Sequence, residues 1–228
     1  MKSLARAFFW ALLVGAPGCA LVTRPAPSPH PDLIAARTDP SPLPGPRRVV
    51  VLPLECEDGT ENDARILGAA LRAAIAERSL FEAVPVNAED VKDLSIGLTR
   101  ERGFFRTKDL IEIGRRFGVD GLLYGVITQI RHYPCMSIGL RLVLIDVRVG
   151  EVPFATDFLL DGSDRRVVED LANWQVVTRQ DTESLWGPER GLQGPHLYSS
   201  YVADRVARRL ERALQPAAAV QPADTPAR

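Results

Sequence analysis

The chain has 228 residues, 46% hydrophobic and 25% charged, with 28 basic against 29 acidic side chains and a net charge of −1. Such figures describe one globular domain of moderate size and exclude a collagen-like chain, a wholly disordered one, or two large catalytic domains. A near-neutral balance also argues against a grip on nucleic-acid phosphates, so no nucleic-acid partner is expected.

Residues 1–18 read as an export signal. Lys2 and Arg6 supply the positive start, Phe8 to Val14 the apolar core, and Ala16-Pro17-Gly18 the small residues before Cys19. The apolar run falls short of the roughly 20 residues a bilayer-crossing helix needs. The arrangement resembles a bacterial lipoprotein signal, which implies that Cys19 carries the lipid and becomes the mature N-terminus. Ala20 rather than Asp follows it, which by the sorting rule of enteric lipoproteins implies the outer membrane, with the domain facing the periplasm. An ordinary secretory signal cleaved near Ala20 is the alternative. Loss of residues 1–18 removes Lys2 and Arg6 and no acid, leaving 26 basic against 29 acidic groups.

Residues 24–46 hold eight prolines, at 25, 27, 29, 31, 40, 42, 44 and 46. Proline lacks the amide that helices and ladders need, so residues 19–46 read as a lipid-anchored, extended tether. At about 3.1 Å per residue, Ala20 to Pro46 would reach roughly 80 Å. The Ala/Pro-rich stretch 215–228 has no apolar period and reads as a disordered tail. The folded domain is expected over 47–214.

Arg48 to Leu54 is a β-branched run of strand length. Thr60 and Asp63 have capping-box spacing, and Ile66, Leu67, Ala70, Leu71, Ala74 and Ile75 then form a helical stripe. Leu80 to Val86 is a second strand. Thr107 is expected to cap a helix running to Phe117, with Gly118 closing it. Val119 to Tyr133 follows as a strand, with Leu122, Tyr124, Val126, Thr128 and Ile130 on one face. Met136 to Arg148 alternates through Ile138, Leu140, Leu142 and Leu144, Val149-Gly150-Glu151 turns, and Val152 to Leu160 returns. Asp164 to Trp174 is helical, and Leu197 to Leu214 is a last helix with Val202, Val206, Leu210 and Leu214 on its stripe. The fold class is therefore α/β: a single mixed-sheet domain, order β-α-β-α-β-β-β-α, with helices packed on the sheet.

That order bears on the cysteines. Lipidation of Cys19 would leave Cys56 and Cys135, which an oxidising periplasm permits to pair. Cys56 follows the first strand and Cys135 the third. If those strands are parallel neighbours, their carboxyl ends share a sheet edge and the thiols could meet. Two free thiols are the alternative.

The runs Val49 to Leu54, Leu80 to Val84, Phe117 to Ile127 and Leu140 to Glu151 resemble the domain shared by the curli-secretion lipoprotein (CsgG) family and the penicillin-binding-protein activator lipoproteins. They also resemble the N-terminal domain of the TolB translocation protein. The resemblance covers about 47–165 plus the last helix. It implies an envelope protein that binds an unidentified envelope protein, or a homo-oligomeric ring or pore component. Pore-forming members carry extra membrane-crossing hairpins. Here 136–160 make one compact hairpin interrupted by Arg141, Asp146, Arg148 and Asp157, which disfavours a pore.

Chemistry-bearing motifs are sparse. Glu55, Glu57, Asp58, Glu61 and Asp63 lack the register of a calcium loop, and carboxylates suit a helix start anyway. His132 and Cys135 have ligand spacing without the third and fourth ligands zinc needs, so no metal or cofactor is expected. No Gly-x-Ser-x-Gly, Ser-x-x-Lys, Gly-x-Gly-x-x-Gly or phosphate-loop pattern occurs, and the chain is not expected to be an enzyme. Trp174, Trp186, Tyr198 and Tyr201 lie in a stretch rich in turn formers. They are candidates either for a partner surface or for packing onto the sheet.

Overall fold

The computed structural model describes residues 33–38, 45–86, 90, 105–178 and 194–214. Cys19, Trp186, the export signal and the tail lie outside them. Seven strands form one mixed sheet: β1 (Ala36–Arg37), β2 (Arg48–Val51), β3 (Glu55–Cys56), β4 (Glu82–Pro85), β5 (Gly121–Arg131), β6 (Ser137–Asp146) and β7 (Glu151–Asp161). The order is β1-β7-β6-β5-β2-β4, with β3 also pairing β5. The described helices are α1 (Glu61–Glu77), α2 (Thr107–Phe117), α3 (Arg165–Thr178) and α4 (Pro195–Leu214). Two of them follow the meander, where helical stretches were expected from Asp164 and from Leu197.

Crossover connections place β4 and β5 parallel to β2, on either side of it. The β5–β6–β7 meander is antiparallel, as its strict alternation requires. Leu144, Leu142, Leu140 and Ile138 of β6 face the same side as Phe154, Thr156, Phe158 and Leu160 of β7, and this side is buried under α1, α3 and α4. The opposite side carries α2, whose Leu110 and Ile113 pack with Val50, Leu122, Tyr124 and Val126. Arg78, just past α1, holds α4 through Asp204 at 2.6 Å and Glu211 at 3.0 Å.

Four departures from the sequence reading have physical causes. Pro53 interrupts the run 48–54, so the strand stops at Val51 and resumes as β3. A register shift between Ile127 and Gln129 reverses the alternation of β5, so Ile130 packs with the helical-side core and not with Leu122 and Tyr124. The cap of α2 is Arg106, with no side-chain hydrogen bond, and Thr107 is the first helical residue. Gly118 does close α2, with φ of 60°.

The fourth departure concerns the tether. Residues 33–37 dock on the sheet: β1 pairs antiparallel with β7, and Ile34 is buried, 3% exposed, in the helical-side core. Covalent geometry then limits the 13 residues from Ala20 to Asp32 to a span of at most about 45 Å.

Candidate functional site

One end of the sheet collects most of the polar side chains singled out above. The chain leaves β3 through Glu57 and Asp58 and enters α1 by a complete capping box. Thr60 Oγ1 accepts from the Asp63 amide at 3.2 Å, and Asp63 Oδ2 accepts from the Thr60 amide at 2.9 Å. The β5–β6 turn closes over this box, with His132 Nε2 3.3 Å from Asp63 Oδ1. Arg131 holds the other flank of the turn through Asp161 at 2.7 Å. Tyr133, next in the turn, stands exposed.

Asp63 is 6% exposed, and burial by itself raises its pKa. The Thr60 hydroxyl and amide, with the His132 imidazole, outweigh burial and hold the carboxyl below its ordinary value. A carboxylate depressed by folding contributes stability above its unfolded value, near 4, and that contribution is lost as pH falls through the lower folded value. Asp63→Ala is therefore expected to cost about 1 kcal/mol through the lost reciprocal half of the capping box, the Thr60 cap itself remaining. It should also flatten the stability profile below about pH 4. Urea titrations at pH 3 and pH 7 check both effects.

Cys56 and Cys135 are free thiols. β2 and β5 are parallel neighbours as the pairing argument required, but Cys56 lies opposite Ile127, and β5 runs on for four more residues before its turn. The carboxyl ends are staggered and the sulfurs do not meet. Burial, then Asp63 and Asp58, raise the Cys56 pKa, so it stays a thiol at neutral pH.

Of the candidate partner-surface residues, Trp174, Tyr198 and Tyr201 take the packing alternative, and Trp186 lies outside the described residues. Tyr198 and Tyr201 are fully buried and Trp174 nearly so, stacked between α3, α4 and the sheet. Their ring centroids are spaced 5.8 Å apart, Trp174 to Tyr201 and Tyr201 to Tyr198. The Tyr198 hydroxyl donates to the Leu160 carbonyl at 2.9 Å, and that of Tyr201 to Asp170 at 2.8 Å. These side chains seal the helical side of the sheet.

Among the described residues, the surface left open lies on the other side, where β6 and β7 extend past α2. Across it Val143 faces Ala155, Arg141 faces Asp157, and Gly139 faces Leu159. Arg141 Nε donates to Asp157 at 3.0 Å, and Leu159 is 48% exposed. Nearer α2, Tyr124 donates to Glu55 at 3.1 Å. Burial and the Glu55 charge push the Tyr124 pKa up, so it remains a neutral donor. None of these pairs was legible as a motif. Arg141 and Asp157 stand 16 residues apart and meet only through the hairpin register. Among the described residues, no group of three or more His, Cys, Asp or Glu side chains is placed to hold a metal, and no helix is long and apolar enough to cross a membrane.

A single α/β domain with a docked N-terminal segment and, among the described residues, one uncovered half-sheet is thus the class of protein defined. No protein-family model and no curated protein matches the chain. Among solved structures it is similar to the PelC dodecamer from Paraburkholderia phytofirmans, at 14% identity over 78% of this chain and 97% of that one, with a TM-score of 0.49. It is also similar to lipoprotein GNA1162 from Neisseria meningitidis, at 18% identity over 52% and 85%, with a TM-score of 0.38. The C-terminal domain of LpoB from Salmonella enterica is similar at 19% identity over 49% and 80%, with a TM-score of 0.34. Each is a distant likeness and assigns this chain no role.

Proposed function

We propose that this chain is a lipid-anchored cell-envelope protein, held at the outer membrane through Cys19. Its periplasmic α/β domain acts as a non-enzymatic protein-binding module in envelope assembly or secretion. The observation that carries the reading is the run from Lys2 through the apolar core to Ala16-Pro17-Gly18-Cys19, followed by a proline-rich sequence suited to a tether. The β6–β7 hairpin supports a domain outside the bilayer. One side is buried under helices, and the other presents Arg141 and Asp157 where a lipid-facing strand would present apolar residues. The uncovered half-sheet, apolar at Leu159 and Val143 with an ion pair between, offers a partner both contact area and register.

The test is radioactive palmitate labelling of the full-length chain in a bacterial host, comparing wild type with Cys19→Ala. Label and membrane residence in the wild type, both lost in the variant, are expected. Unlabelled, soluble periplasmic protein in both strains would overturn the anchor.

A further inference from the structure

Residues 33–37 sit on the sheet as an appendage. Only Ala36 and Arg37 enter the ladder, opposite Thr156 and Ala155. β7 has eleven residues and pairs with β6 along nearly its whole length, so most of its outer edge has no described strand beside it. Contacts outside the ladder also hold the segment, with Leu33 and Ala36 packed on the core. Ile34 fills a slot in the helical-side core, and Thr156 Oγ1 donates to the Ala35 carbonyl at 2.6 Å. On the opposite side the segment borders an open groove of about 440 Å³, walled by Ala35, Arg37, Arg141, Val143, Ala155 and Asp157.

The sequence onward is rich in proline. β1 and β2 are four strand positions apart, about 19 Å. Pro40, Pro42 and Pro44 lie between Thr38 and Gly45, and alternating prolines favour extension over reversal. A short element that precedes a proline-rich sequence, held in the ladder at two positions, by the Thr156 hydrogen bond and by the buried Ile34, meets the conditions for exchange between identical chains. The slot it would vacate is complementary to one sequence in particular, and every copy carries that sequence.

We propose that the outer edge of β7 is a self-association surface: residues 33–37 of one copy pair with β7 of a second copy, with Ala36 opposite Thr156 and Ile34 in the same slot. Each copy gives one segment and takes one, which closes as a reciprocal pair or as a ring. The exchange needs a second copy and no lipid, so it stands or falls apart from the anchor.

The test uses the full-length chain carrying Cys19→Ala, Cys56→Ser and Cys135→Ser as a cysteine-free background. Ala36→Cys and Thr156→Cys are made separately, and the two proteins are mixed under mild oxidation. Directly opposed strand residues lie within disulfide reach. A dimer linked from residue 36 of one chain to residue 156 of the other, identified by mass spectrometry, is expected. Its yield should rise severalfold over a tenfold increase in concentration and be lost with Ile34→Asp. The double variant in one chain controls for folding, read by circular dichroism and by closure of its own 36–156 bond. Closure within that chain with no mixed dimer would overturn the exchange, as would a folded double variant that forms no bond at all.

Discussion

Replacing Asp170 by alanine is expected to lower the unfolding free energy by about 3–5 kcal/mol, the range for breaking one partner of a buried ion pair. Asp170 is 5% exposed and serves two groups at once. It accepts the Tyr201 hydroxyl at 2.8 Å, and Arg205 Nη2 donates to its Oδ1 at 3.0 Å. Arg205 Nε also approaches Oδ2 to 2.6 Å, out of line for a hydrogen bond, so that contact is ionic only. Removing the carboxylate strands a buried hydroxyl and leaves a mostly buried guanidinium with only Asp204 at 3.6 Å and the residue 170 carbonyl at 3.4 Å, so desolvation penalises both. Burial and the Asp170 charge raise the Tyr201 pKa, so the phenol stays neutral and cannot pair with Arg205 instead. Asp170→Asn keeps an acceptor for Tyr201 and should cost about half as much. Guanidinium titrations of the full chain should show a lower midpoint with an unchanged slope. An alanine variant within about 1 kcal/mol of wild type would mean the pair is dispensable.

Local signals decided what could be read from the sequence. The capping box at Thr60 and Asp63 is a four-residue pattern, and the alternation of Ile138 to Leu144 reports one buried face. Both formed as written. The bulge at Ile127 and Gln129 leaves no mark on composition, so the faces of β5 were continued past the point where they exchange. Ile34 looked like part of a proline-rich tether because its slot is built by residues such as Phe158, more than 120 positions away. The aromatic residues could have been placed. Val167, Asp170, Leu171 and Trp174 recur at i, i+3, i+4 and i+7, and Tyr198, Tyr201 and Val202 continue into Val206 and Leu210. Those stripes put all three rings on buried faces. The open β6–β7 half-sheet was not legible, since its side chains look like the solvated face of any hairpin until the helices are seen to choose the other side.

Trp174→Ala is expected to cost about 3–5 kcal/mol, the range for truncating a large buried aromatic residue. The indole is 6% exposed and meets Tyr201 at 65° between ring planes, so alanine loses both area and an edge-on contact, leaving a cavity between α3 and α4. Trp174→Phe separates that packing role from a recognition role. Among the described residues the Trp174 Nε1 has no hydrogen-bond partner, so phenylalanine keeps most of the ring contact and removes a buried unpaired donor. The Phe variant should lie within about 1 kcal/mol of wild type. At roughly 2–4 °C per kcal/mol the Ala variant should melt about 6–20 °C lower, which calorimetry resolves. Asp170→Ala and Trp174→Ala both act through Tyr201, so the double variant should fall short of the sum of the two. Loss of partner capture in Trp174→Ala then has a folding cause, and capture should survive in Trp174→Phe. Capture lost in the Phe variant at wild-type stability would return the aromatic cluster to the binding surface and leave the open half-sheet without its role.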